Sequence, residues 1–125
     1  MRRFIFFLLT AILLTACGKR LLSHEAAREA AVAYYTMLID GDYEAFVDGY
    51  TYAATMPDDY RSQMVDAVAQ TMASGMMHEL RAVTAVADSL ADSTAYVRLE
   101  LQFADSTCQH IGLPLVLHPD GWRMQ

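Results

Sequence analysis

Tyrosines and aspartates are concentrated in the first half of the chain, and together they could support acid–base chemistry. A carboxylate can accept a proton in the transition state, and a tyrosine hydroxyl can stabilise the oxyanion that forms. The residues concerned are Tyr34, Tyr35, Tyr43, Tyr50, Tyr52, Asp40, Asp42 and Asp48. The three aspartates fall where helices are predicted to begin and end, however, and capping accounts for them there.

The histidines and cysteines do not have the spacing of a metal site. His24, His78, His110 and His118 are scattered, and the sequence contains neither an H-E-x-x-H nor a paired C-x-x-C motif. Cys108 and His110 would share one strand face, which supplies two ligands and no third. We therefore expect no metal and no cofactor, and we expect Cys108 to be a small, buried or half-buried apolar residue.

Methionines form a third group, and an apolar pocket is the site that they favour. Five of them surround a predicted third helix: Met56, Met64, Met72, Met76 and Met77. Because methionine adapts to irregular surfaces, we predict an apolar ligand site that includes Tyr34, Met64, Met72 and Trp122. The alternative is that the same residues only fill the core of a small domain.

The first twenty residues, MRRFIFFLLTAILLTACGKR, have the features of an export signal. Two arginines precede an apolar run at residues 4–14, which is shorter than the roughly 20 residues that a membrane-spanning helix needs. The run ends Leu14-Thr15-Ala16-Cys17, which resembles a bacterial lipobox. The resemblance implies a signal peptide at residues 1–16 and a lipid on Cys17. The alternative is an ordinary signal peptide that is cleaved elsewhere.

Residues 17–22 would then be the lipidated cysteine and a short basic tether to the membrane. Several acyl chains on Cys17 would hold the protein stably at a bilayer. Gly18 is not the aspartate that, by resemblance to enteric lipoproteins, retains a protein in the inner membrane. The acidic cluster of surface-exported lipoproteins is also missing. We therefore expect a lipid anchor in the outer membrane, with the protein facing the periplasm.

The size and charge of the mature chain limit its partners. Removing sixteen of the 125 residues leaves 109, which suits one domain, at 23–125. Two of the nine basic residues leave with the signal while all fifteen acidic residues stay, so the net charge becomes −8. This charge argues against a nucleic-acid partner, because binding phosphates requires clustered basic residues.

The first half of the mature chain has helical periodicity. Ser23 is a good N-cap for a first helix that we expect to end at Gly41. Asp42 is expected to cap a short second helix, and Pro57 introduces a third. Phe46 and Val47 are predicted to face inward, and Tyr60, Met64, Val68 and Met72 recur four residues apart in the third helix.

The second half has strand periodicity. In STAYVRLELQF (93–103) apolar and polar residues alternate, which predicts a half-buried antiparallel strand with Tyr96, Arg98 and Glu100 on its outer face. Strands are also predicted for LRAVTAVADSL (80–90), CQHIGLPLVL (108–117) and residues 122–125. Because Pro114 cannot donate to a ladder, its strand should lie at an edge or carry a bulge.

Three stretches of the chain resemble the ketosteroid-isomerase-like, or nuclear-transport-factor-two-like (cystatin-like), superfamily: LIDGDYEAFVDGY, STAYVRLELQF and VLHPDGWRMQ. A Gly-Asp-aromatic junction after the first helix and a closing Asp-Gly-Trp-basic turn recur in such proteins. Within the superfamily the chain is most similar to small Bacteroidetes-like lipoproteins of unknown function. The resemblance implies an α+β fold in which N-terminal helices pack on a curved, cone-shaped antiparallel sheet.

From these features we predict a membrane-anchored periplasmic lipoprotein. It is expected to bind a protein partner or a small apolar ligand without catalysis. Enzymes of the superfamily place an acidic base and acidic or tyrosine donors inside the cone. The alternative is therefore an isomerase or dehydratase that uses a buried carboxylate and a tyrosine.

Overall fold

The computed structural model of the protein describes residues 22–125, which form an α+β fold with the helices first and the sheet second. The helices are α1 (His24–Asp40), α2 (Tyr43–Asp48) and α3 (Asp58–Ala73), with 3₁₀ turns at Ala53–Thr55 and Gly75–Glu79. The strands are β1 (Leu80–Ala91), β2 (Thr94–Phe103), β3 (Cys108–His118) and β4 (Gly121–Met124). The predicted order and type of the elements are confirmed. The predicted signal peptide, Cys17 and most of the tether lie outside the described residues.

Helix α1 begins and ends where the sequence predicts. The Ala26 amide donates to the Ser23 hydroxyl oxygen at 3.1 Å, so Ser23 is the N-cap. At the other end Gly41 adopts a left-handed conformation, with φ +79. The amides of Gly41 and Asp42 then return to the carbonyls of Leu38 and Met37, which is a Schellman motif.

The first turn of α1 is also tied to β1. The Asp88 carboxylate, only 9% exposed, pairs with Arg28 Nε at 3.2 Å and is hydrogen-bonded to His24 Nδ1. Asp88 pairs in the sheet with Val97, whose side chain is buried on the inner face, so this carboxylate lies on the side that α1 covers. The helix is therefore fixed to the sheet near its N-terminus.

Helices α2 and α3 differ in how completely they are buried. Asp42 caps α2 by accepting from the Ala45 amide at 3.4 Å, and Phe46 and Val47 are buried as predicted. In α3, by contrast, Met72 is the sole buried residue, and Met64 and Val68 are half-buried. Tyr60 shares their spacing but is 53% exposed, because it lies in the first turn, at the end of α3 away from the buried Met72.

The strands form one antiparallel sheet in the order β1-β2-β3-β4. A register shift between Ala85 and Ala87 interrupts the β1–β2 ladder. The Pro114 carbonyl accepts from the Gln125 amide, so its backbone polar groups face away from β2. The predicted edge position or bulge was wrong, because β3 lies between β2 and β4 and its register with β2 is continuous. Pro114 is tolerated because its missing amide hydrogen faces the point where the β4 ladder ends, so no bond to β2 is lost.

The core lies between α1 and the inner face of the sheet. Alternate residues of β2 are buried as predicted: Ala95, Val97, Leu99, Leu101 and Phe103. In α1, Ala27 and Ala31 are fully buried, and these small side chains let the helix approach the strands closely. Within residues 22–125, no polar or charged residue belongs to the buried set.

The last strand closes the fold by joining the helical half to the sheet. Tyr50, just after α2, forms a parallel bridge with Met124, and amide–carbonyl hydrogen bonds of 2.8 Å link Thr51 to Met124 and Met124 to Gly49. Trp122 and Met124 point into the core and are buried. We call this arrangement of β4 and residues 49–51 the β4 clasp.

The prediction for Cys108 was wrong. The thiol is exposed. Cys108 lies at the start of β3, and its side chain belongs to the alternate set that points away from the helices. A hydrogen bond with Glu100 is the main cause that raises the pKa of the Cys108 thiol. This residue is therefore exposed but protonated at neutral pH, which disfavours a reactive thiolate.

Candidate functional site

Two concave sites flank α2, and one of them is almost entirely apolar. It has a volume of about 290 Å³ and lies between α3 on one side and α1 and α2 on the other. We call it the methionine groove, and it is lined by Tyr35, Leu38, Phe46, Met64, Ala67, Val68, Thr71, Met72 and Met77. None of these side chains is charged, and only Tyr35 and Thr71 carry a polar group.

The spacing of residues in α3 explains one wall of the methionine groove. Met64, Val68 and Met72 are four residues apart, so they project from one face of the helix. The Thr71 hydroxyl donates to the Ala67 carbonyl at 2.9 Å, which satisfies its hydrogen within the helix. The α3 wall therefore presents flexible thioethers and methyl groups, which adapt to ligands of irregular shape.

Aromatic rings form the opposite wall and continue beyond it. Tyr35 of α1 contacts Phe46 of α2 edge-on, with ring centroids 6.1 Å apart, and Phe46 contacts Tyr50 in the same way at 5.7 Å. Tyr52 stacks on Tyr50 at 5.2 Å. Burial, and to a smaller extent the neighbouring Tyr50, raise the pKa of Tyr35. Tyr35 therefore stays neutral at physiological pH, and no charge opposes an apolar ligand.

The second concave site is polar and lies on the other side of α2, next to β4. It has a volume of about 310 Å³, and we call it the polar pocket. Its lining side chains that carry polar groups are Tyr34, Asp48, Asp120, Trp122 and Arg123. Asp48 comes from the last turn of α2, and the other end of the pocket is the β3–β4 turn.

The polar groups of this pocket are bonded to one another. The Tyr34 hydroxyl donates to the Trp122 carbonyl at 2.6 Å, and Arg123 donates to the Asp48 carbonyl at 3.2 Å and to the Asp120 carboxylate. The Tyr34 ring also lies against Gly49, where a Cβ atom would be 2.2 Å from Tyr34 Cε1. These bonds fasten α1, α2 and β4 together, which gives the pocket a structural role.

Hydrogen bonds from arginines lower the pKa of both carboxylates in the polar pocket. Arg61 donates to both oxygens of Asp48, at 2.8 and 2.9 Å, and this lowers the pKa of Asp48. Hydrogen bonding to Arg123 likewise lowers the pKa of Asp120. Burial raises the pKa of Tyr34. At neutral pH both aspartates are therefore ionised and paired, so neither is poised to act as a base near pH 7.

The four residues predicted to form one ligand site are divided between the two concave sites. Met64 and Met72 line the methionine groove, whereas Tyr34 and Trp122 line the polar pocket. Sequence reasoning did not assign Tyr35 or Phe46 to the site, although the predicted inward orientation of Phe46 was a signal.

The acidic residues considered for catalysis lie at the helix termini. Asp40 is the exposed last residue of α1, Asp42 caps α2 and Asp48 pairs with Arg61. In the described part of the chain, no three side chains of histidine, cysteine, aspartate or glutamate come close enough to hold a metal ion. Within residues 22–125, no helix combines the length and apolar character that crossing a membrane requires.

The helices and the curved antiparallel sheet together constitute an NTF2-like fold, as the sequence resemblance implied. Three chains of known structure match the chain. One is the crystal structure of a protein from Campylobacter jejuni described as a "Putative NTF2-like transpeptidase". The match has a TM-score of 0.61 at 14% identity and covers 77% of this chain and 94% of the other. No family model and no curated protein matches the sequence.

Proposed function

We propose that this protein is a lipid-anchored, non-enzymatic lipoprotein of the cell envelope that binds a small apolar molecule in the methionine groove. The observation that carries the proposal is the groove itself, about 290 Å³ in volume and without a charged lining residue. Concave, mostly apolar sites of about this size are the usual ligand sites of proteins. The NTF2-like fold is compatible with a binding domain.

The lipid anchor in this proposal rests on the lipobox-like stretch Leu14-Thr15-Ala16-Cys17. We place the protein with small Bacteroidetes-like lipoproteins, in the outer membrane and facing the periplasm. Such an anchor would keep the groove close to the bilayer, where apolar molecules are concentrated. The anchor is tested with Cys17→Ala, which should abolish partitioning into the detergent phase and the added lipid mass in intact mass spectrometry. Unchanged partitioning would exclude the anchor.

The ligand is tested by extracting the purified full chain with organic solvent and identifying co-purified apolar molecules by mass spectrometry. We expect about one such molecule per chain, and its loss in Val68→Asp, because the new carboxylate would lie in the groove wall. Val86→Asp is the matched control, since Val86 is exposed in β1 and does not line the groove. Equal ligand content in both variants would exclude the groove as the site.

A protein partner is the second candidate, and the outer face of the sheet is the surface that favours it. Tyr96 is 52% exposed there. Its ring lies across Gly112 of the neighbouring strand, where the missing side chain leaves room for the ring to lie flat on the sheet. A photo-crosslinker at residue 96 should capture a partner in cells. The same crosslinker at Tyr60, which is 53% exposed on α3, is the control. Capture at residue 60 but not at residue 96 would contradict this candidate.

The enzymatic alternative would need an acidic residue and a tyrosine hydroxyl facing one cavity. The polar pocket does bring Asp48, Asp120 and Tyr34 to one cavity. Both carboxylates are paired with arginines there, however, and the Tyr34 hydroxyl donates to the Trp122 carbonyl. We therefore develop the binding proposal. Turnover of a substrate that is abolished by Asp48→Asn, with the fold intact, would favour the enzyme instead.

A further inference from the structure

The methionine groove is bounded on one side by a helix that is weakly fastened to the rest of the molecule. The main contacts of α3 are with α2 and with the 3₁₀ turn Gly75–Glu79. Its burial increases along its length, from the exposed Asp58, Asp59 and Tyr60 to the buried Met72. The C-terminal end of α3 is therefore anchored in the core, and its N-terminal end is not.

A change in chain direction lies directly after the anchored end. Helix α3 ends at Ala73, Ser74 is extended with φ −133, and Gly75 has φ +61. A Cβ atom at Gly75 would meet nothing within 4 Å, so the space on the side-chain side of this residue is open. A few element-terminal residues of this kind are typical of hinges.

Within the described residues, one ion pair links the first turn of α3 to α2. The Arg61 guanidinium donates two hydrogen bonds to the Asp48 carboxylate at the end of α2, in the bidentate geometry that is strongest for this pair. The Asp48 side chain is 54% exposed and that of Arg61 is 28% exposed. Bidentate geometry makes this pair stronger than an average surface ion pair, but both side chains are partly exposed, so salt screens it and water can replace its hydrogen bonds when it opens.

From this arrangement we infer that α3 is a lid over the methionine groove, hinged at Ser74–Gly75 and latched by the Arg61–Asp48 ion pair. Opening swings the Arg61 end outward and exposes Met64 and Val68, while Met72 stays in place. The gating of a ligand rests on the function proposed above. The motion of the lid does not, and it can be measured without a ligand.

The test is hydrogen exchange of the full chain, measured by mass spectrometry on peptides that cover α3 and α1. Arg61→Gln and Asp48→Asn should each speed amide exchange in the first half of α3 by about two- to five-fold and leave α1 unchanged. Asp120→Asn is the matched control, because it removes a comparably exposed aspartate–arginine pair that does not involve α3. Equal acceleration in all three variants, or no acceleration in α3, would overturn the lid.

A second measurement reports the groove directly. In a Cys108→Ser background, Val68→Cys places a thiol in the groove wall. A water-soluble maleimide should label it faster when Arg61→Gln is added, as read on the peptide that contains residue 68, which separates it from Cys17. High salt should also speed labelling when Arg61 is present, because it screens the ion pair, and it should add little in the Arg61→Gln variant. A labelling rate that neither Arg61→Gln nor high salt alters would overturn the latch. If the lid moves but no apolar molecule co-purifies, the proposed function fails and the lid stands.

Discussion

The two sides of α1 are packed in opposite ways. Towards the sheet, the helix presents Ala27 and Ala31, which are fully buried against a continuous apolar face that includes Val97 and Leu99. Towards α3, it presents Tyr35 and Leu38 to a groove that is closed by half-buried side chains and one exposed ion pair. The first side therefore supplies most of the stability, and the second supplies an adaptable surface.

This division explains how a small protein can keep an apolar groove without losing its fold. A groove is a packing defect, and a defect inside the main core would cost stability in proportion to its volume. Here the groove lies between α1, α2 and a peripheral helix. Its size and shape can therefore change while the contacts between α1 and the sheet stay intact.

The comparison is tested most strongly by truncating one side chain on each side of α1. Leu99→Ala should lower the free energy of unfolding by about 2–5 kcal/mol, because Leu99 is fully buried between the helix and the sheet. Val68→Ala, in the groove wall, should lower it by about 1 kcal/mol or less, because its side chain is half-exposed. Urea denaturation measures both. Equal losses would mean that the two sides are packed alike.

The next effect concerns the contact between Tyr34 and Gly49 beside the polar pocket. Gly49→Ala should destabilise the protein by about 1–3 kcal/mol, because the new methyl group would displace the Tyr34 ring. Combining it with Tyr34→Ala should cost less than the sum of the two single changes, since the clash is then removed. Additive losses in thermal or urea unfolding would show that the ring is not the obstacle.

A smaller effect is expected from the hydrogen bond between Tyr34 and the Trp122 carbonyl. Tyr34→Phe keeps the ring on Gly49 but removes the hydroxyl, and should cost about 0.5–1.5 kcal/mol. Tyr60→Phe is the control, because Tyr60 is exposed and should give no measurable change. A neutral Tyr34→Phe would mean that water replaces the bond.

The smallest effect is the pH dependence of the latch. Hydrogen bonding to Arg61 lowers the pKa of Asp48, so the stabilisation is present above the ordinary aspartate pKa and is lost as the pH falls through the lowered value. Asp48→Asn should therefore differ from the natural protein at pH 7 and become indistinguishable from it in strong acid. A difference that grows on acidification would contradict the sign of the shift.

Local signals predicted most of the secondary structure. Ser23 and Gly41 bound α1, and the two-residue period of β2 placed each of its buried side chains correctly. Capping and strand alternation depend on neighbouring residues, which the sequence displays directly. Cys108 was misplaced because a small apolar residue type was allowed to outweigh its position on the outward alternation of β3.

The arrangement of the site was harder to predict, because it depends on partners that are distant in sequence. Tyr34 and Trp122 do meet, through a hydroxyl–carbonyl bond, but they do so at the polar pocket. The four-residue spacing in α3 correctly put Met64 and Met72 on one face. It contained no information on how deeply the helix is buried, so it did not distinguish the exposed Tyr60 from the buried Met72.

The β4 clasp has a consequence for the order of folding. Its contacts join residues near position 50 to Met124, and the Tyr34–Trp122 bond spans 88 residues. We expect contacts between residues so far apart in sequence to form late in folding, because closing a long loop costs entropy before the contact can stabilise it. An emerging chain that lacks its final strand could still pack α1 on β1 and β2, but it would lack the bonds that tie the end of α2 to the sheet.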